Sequence, residues 1–98
     1  MKTIKETIYI IFFKNKSDDS VLYVMDSFDG KKLFTKLDEV EKLLEEKGFE
    51  KLVDSGSDEE VVSKFVNINY IDGQDRATYF DSPRAEIIKE ECEFEIAD

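Results

Sequence analysis

Twenty-four carboxylates and no histidine set the chemistry open to this chain. Without imidazole it lacks the commonest general base, the usual Ser/His and Cys/His nucleophile pairs and most zinc sites. Cys92 is the only cysteine. It reads as a small core residue, and a single thiol excludes an internal disulfide and suits a reducing, cytoplasmic setting. Glu45-Glu46-Lys47 has the E-x-K spacing of metal nucleases, but it falls on an amphipathic helix rather than at a strand end. The acidic stretch from Asp54 to Glu59 fails as a calcium loop. The EF-hand pattern needs Gly at position six and Glu at position twelve, where this chain has Glu59 and Phe65. Four glycines build no phosphate-cradling loop. No catalytic, cofactor-binding or metal-ligating residue is therefore assigned, and the chain reads as a non-enzyme.

What remains is charge in rows. On a strand, Glu91, Glu93 and Glu95 share one face and repeat at about 6.6 Å. On a helix, Asp38, Glu41 and Glu45 follow i, i+3, i+7 spacing and form a second line. The net charge is −10, unevenly spread. Residues 1–36 carry seven lysines against five acids, net +2, and residues 37–98 carry net −12. Direct binding to nucleic acid or to an anionic membrane is disfavoured, because phosphate contacts need Lys and Arg. A partner with a basic surface is favoured, since long-range attraction speeds its association. Tyr70 and Tyr79 flank the turn Asp72-Gly73-Gln74-Asp75 and are candidate anchors, with Asp72 and Asp75 beside them.

The elements that must position these residues are read from periodicity. Ile8–Phe13 is six consecutive large apolar residues, too short to span a bilayer and too β-branched and aromatic to prefer a helix. It predicts the centre of a strand over about 4–14 with two apolar faces. Lys2 and Lys5 are followed by Glu6, and no small-residue cleavage site follows, so the start does not read as a signal peptide. Residues 20–28 predict a second strand paired as a hairpin, Asp29-Gly30 a turn, and 31–34 a brief third strand. Leu37, Val40, Leu43 and Leu44 predict a helix over about 36–47, capped by Thr35 with Asp38 and ended by Gly48. Residues 49–53 return as a strand. From Asp58 a short helical turn is expected to pass into a strand at 66–71, the alternative being one long strand. Arg76–Phe80 predicts the return strand of a hairpin. Residues 85–96 predict a strand whose dry face holds Ile88, Cys92, Phe94 and Ile96, with Glu90 the exception.

Ninety-eight residues in this order predict a single α+β domain. Its antiparallel sheet has about five or six strands, with one main helix on a face. One helix covers only part of a sheet, so the second apolar face calls for sheet curvature, another helix or a homodimer. In size, acidity and lack of catalytic residues the chain resembles small acidic proteins that phages and mobile elements use against host defence, such as anti-CRISPR and anti-restriction DNA mimics. The resemblance covers no motif, and no residue is carried over from it. It implies an inhibitor or regulator that occupies the basic surface of a nucleic-acid-handling protein. The other expectation is a structural or assembly module, homodimeric in one form, whose acids serve only solubility.

Overall fold

A computed structural model describes residues 2–28, 30, 32–52, 61–73 and 78–96. Among these, one helix packs on one five-stranded antiparallel sheet, an α+β fold. The strands are β1 (Lys2–Lys14), β2 (Val21–Met25), β3 (Phe49–Lys51), β4 (Val61–Asn67) and β5 (Arg84–Ile96). The helix α1 spans Leu37–Glu46. Sheet order is β2-β1-β5-β4-β3, so the first and last strands form the centre.

β1 and β5 pair along their whole lengths, from Lys2 opposite Ile96 to Lys14 opposite Arg84. This register decides which side chains share a face. Tyr9, Ile11 and Phe13 stand opposite Lys89, Ile87 and Ala85 on the helix side. Phe49 of β3 and Phe65 of β4 extend that face across the sheet, and Val40, Leu43 and Leu44 of α1 close over it. Ile8, Ile10 and Phe12 point the other way, with Ile88 opposite Ile10 and Glu86 opposite Phe12. Ile8 is buried there, while Ile10, Phe12 and Ile88 are half-buried.

The helix is where its stripe of apolar residues puts it, but its start differs. Lys36 is the N-cap and makes no side-chain cap, so Thr35 lies one residue too early to serve. Asp38 and Glu39 in the first turn favour the positive end of the helix dipole instead. Gly48 ends the helix at φ +96°, a conformation that a side chain would strain, and a Cβ there would collide with the Asn69 amide.

Three further expectations are corrected. β4 runs from Val61 to Asn67 and ends where a strand over 66–71 was expected to begin. Asn67 causes this. Its amide nitrogen donates to the Phe80 and Ser82 carbonyls (3.1 and 2.9 Å), and its side-chain oxygen accepts from the Asn69 N–H. The backbone turns there, leaving Ile68 and Ile71 exposed. Of the helical turn expected from Asp58, residues 58–60 lie outside the described residues, and residues 61–65 are strand rather than helix. Secondly, Tyr79–Asp81 is one 3-10 turn rather than a return strand. Thr78 caps it by accepting from the Phe80 N–H, and the Asp81 carboxylate accepts from the Thr78 N–H. Arg76 lies outside the described residues. Thirdly, the covered face of β5 is that of Ala85 and Ile87, not that of Ile88 and Cys92. Cys92 is half-buried on the side away from the helix. The side chains of Phe94 and Ile96 lie outside the described residues. Smaller differences concern β2, which stops at Met25, and the brief third strand, which is a single bridge between Ser27 and Leu33.

Length explains why the last four residues of β5's odd face stay wet. A ten-residue helix is about 15 Å long and a thirteen-residue strand about 43 Å. α1 cannot cover both ends of β1 and β5. The chain is accordingly elongated, 54 × 30 × 23 Å.

Candidate interaction surface

The uncovered end is a two-stranded ribbon, Lys2–Thr7 against Glu91–Ile96. β2 reaches only Ile11–Lys14 of β1, and β4 reaches no further along β5 than Ile88. On the helix-side face of this ribbon, Glu91, Glu93 and Glu95 stand opposite Thr7, Lys5 and Thr3. All three glutamates are exposed. Lys5 Nζ lies 3.7 Å from Glu93 Oε1, with both side chains about two-thirds exposed (69% and 64%). Such a pair is screened by water and adds little to stability. The expected row of carboxylates is therefore present, with one lysine beside its middle member.

The helical row is broken. Asp38 and Glu45 are exposed, but Glu41 is turned to the sheet. Its Oε2 accepts from Lys51 Nζ on β3 and from Ser63 Oγ on β4, both at 2.7 Å. Glu41 thus ties α1 to two strands rather than facing solvent. Burial alone would raise its pKa, but the bonds from Lys51 and Ser63 to the ionised form outweigh that and hold it below the ordinary glutamate value. The sign follows. A lowered folded-state pKa gives stability that is present above the unfolded-state value of about 4.3 and is lost as pH falls through the folded one. Glu41→Gln should therefore weaken the fold at neutral pH by about 1 kcal/mol and flatten the loss of stability in acid. Urea midpoints measured down the acid range check this. A mutant whose midpoint falls in acid as steeply as the parent's would show that Glu41 carries none of the dependence.

Tyr70 and Asp72 lie at the other end of the molecule, where β1 finishes and β5 begins. Asp72 accepts from Lys16 Nζ at 2.7 Å, and this bond lowers the pKa of Asp72 and raises that of Lys16. Tyr70 is half-buried and lines a shallow hollow with Lys16, Val66, Asn67, Pro83 and Arg84. Arg84 pins the adjoining loop by donating to the carbonyls of Asn15 (2.8 Å) and Asp18 (2.6 Å). Asp75 lies outside the described residues. The ten residues singled out from the sequence thus do not form one surface.

Tyr79 belongs to a third place, an aromatic groove between β2, α1 and the Tyr79–Asp81 turn. Its ring stacks on Phe13 at 5.8 Å and meets Tyr23 edge-on at 5.8 Å. Phe28, Met25, Leu43 and Phe80 continue the lining, with Glu46 and Lys47 on the rim. Lys47 Nζ sits 5.1 Å above the Phe80 ring. The sequence signal for this groove was Thr78-x-x-Asp81, a capping pattern hidden by the alternation of apolar residues around it.

Among the described residues no cluster of acids and thiol has the arrangement to hold a metal ion. No described helix is long and apolar enough to cross a membrane. Fold and surface together define a small acidic α+β domain with a projecting charged ribbon. No family model, curated protein or solved structure matches the chain.

Proposed function

We propose that this chain is a non-enzymatic binding protein, an inhibitor or regulator that presents Glu91, Glu93 and Glu95 to the basic surface of a nucleic-acid-handling protein. The observation that carries the proposal is the position of the row. Three exposed carboxylates stand at alternate residues on a paired strand that projects past the helix. Pairing with β1 fixes their spacing, so they meet a basic groove pre-ordered, as phosphates on a duplex are. Asp38 and Glu45, exposed on the helix that packs on the same side of the sheet, add to the field. At net −12 over residues 37–98 the field is strong enough to steer a cationic partner.

The test is capture of basic nucleic-acid-binding proteins from a bacterial lysate, followed by competition. Bound partners should be released by moderate salt and by added duplex DNA, because both compete for the same cationic groove. Glu91→Lys/Glu93→Lys/Glu95→Lys should lose them while its circular dichroism stays unchanged. A complex indifferent to salt and to duplex DNA, or one retained by the triple variant, overturns the proposal.

A further inference from the structure

The ribbon has two outer edges, and they differ in what they allow. The N–H of Tyr9 donates outward, to the Phe34 carbonyl at 2.9 Å, on the side where β2 lies. In a regular strand the odd residues of β1 therefore point their backbone groups outward and the even residues bond β5. From Lys2 to Ile8 no described strand pairs with that outer edge. Thr3, Lys5 and Thr7 thus offer a ladder of donors and acceptors. The side chains of Lys2, Ile4, Glu6 and Ile8 share the face away from the helix, and Ile4 is 46% exposed.

We propose that this edge pairs with the same edge of a second copy, antiparallel and centred on Ile4. The pattern of charge selects both occupant and register. Centred on Ile4, Lys2 meets Glu6 of the second copy twice over, Ile4 meets Ile4, and Thr3 and Lys5 exchange four backbone hydrogen bonds. Ile4 and the Lys2–Glu6 pairs then sit at non-hydrogen-bonded positions, where opposing side chains approach most closely. Centred on Lys5, two lysines meet and Ile4 faces Glu6. Centred on Glu6, two glutamates meet. The outer edge of β5 disfavours the same pairing, because a register centred on any residue from Glu91 to Glu95 puts one of Glu91, Glu93 and Glu95 opposite another, and one centred on Glu90 puts that glutamate opposite itself. The β2 edge is uncharged, but it is short and presents outward groups only at Leu22 and Val24. The two-fold axis stands perpendicular to the sheet, so both helices and both carboxylate rows fall on one side. This inference does not rest on the function proposed for that row.

Sedimentation equilibrium of the full chain in reductant, from micromolar to near-millimolar concentration, tests it. A monomer–dimer equilibrium is expected. Lys2→Glu should weaken it about tenfold, by turning two attractive cross-strand pairs into repulsive ones. Lys2→Glu/Glu6→Lys should restore it by exchanging the charges. Thr3→Pro should abolish it, since the Thr3 N–H points outward and its loss breaks no bond within the monomer. A monomer throughout the range overturns the proposal. So does a dimer that survives Thr3→Pro and is broken instead by Val24→Lys.

Discussion

Replacing Phe13 by alanine should cost about 3–5 kcal/mol, a large share of the roughly 5–15 kcal/mol that holds a domain of this kind folded. Phe13 is fully buried. Its ring meets Phe49 at 6.0 Å, Tyr79 at 5.8 Å and Phe80 at 5.7 Å. These three rings come from β3 and from the turn before β5, so one side chain joins three separate parts of the chain. Alanine would leave a void lined by aromatic rings whose own positions are set elsewhere, and such a site collapses poorly. The melting temperature should fall by about 12–40 °C, at roughly 4–8 °C for each kcal/mol in a domain this size. Phe12→Ala is the control. Phe12 is the same residue type one position earlier, half-buried on the opposite face, and its loss should cost far less. Urea unfolding followed by circular dichroism separates the two. Equal costs would mean that the face assigned to the helix is wrong.

That contrast also marks where sequence reading stops. The residues from Ile8 to Phe13 announce a strand with two apolar faces, and nothing in their order says which face a helix will cover. Period two fixes parity, not side. The choice is made by partners distant in sequence: Ala85 and Ile87 are small enough and apolar enough to lie beneath α1, and the odd face of β5 goes with them. Hence Glu91, Glu93 and Glu95 were legible as a row, while Ile88 and Cys92 were misplaced as the dry side. The helix was legible because its apolar stripe and Gly48 are local signals. Asn67 was not, because its three hydrogen bonds reach residues on either side of a turn that periodicity runs straight through. Glu41 was counted with the free charges of its helix face for the same reason. Only the register of β3 and β4 puts Lys51 and Ser63 against it.

The second large effect belongs to Lys14 and Glu86. Their side chains are 15% and 11% exposed, and Lys14 Nζ lies 3.2 Å from Glu86 Oε1. Lys14→Met should cost about 3 kcal/mol, the lower part of the range for breaking a buried pair, because it strands a carboxylate with little water. Arg84 offers poor relief, being engaged with the carbonyls of Asn15 and Asp18. Lys64 stands directly opposite Glu86 in the β4–β5 register and is exposed, so it is the nearest replacement cation. Adding Lys64→Gln should therefore raise the cost, and guanidinium unfolding of both variants measures it. If the two variants lose nothing, Glu86 is solvated well enough to need no partner. By contrast, Lys14→Met/Glu86→Leu should recover most of the loss, since an apolar replacement removes both desolvation penalties together. The gain would carry its own consequence. Ile10, Phe12 and Ile88 lie on the same face as this pair, with Val24 of β2 opposite Phe12. With the ion pair replaced, the apolar patch on that face widens from Ile10, Phe12 and Ile88 to positions 14 and 86, up to the flanking Lys64 and Arg84, and the double variant should self-associate at concentrations where the parent does not. The ion pair then acts less as a source of stability than as an interruption, keeping one apolar face of β1 from serving as an interface.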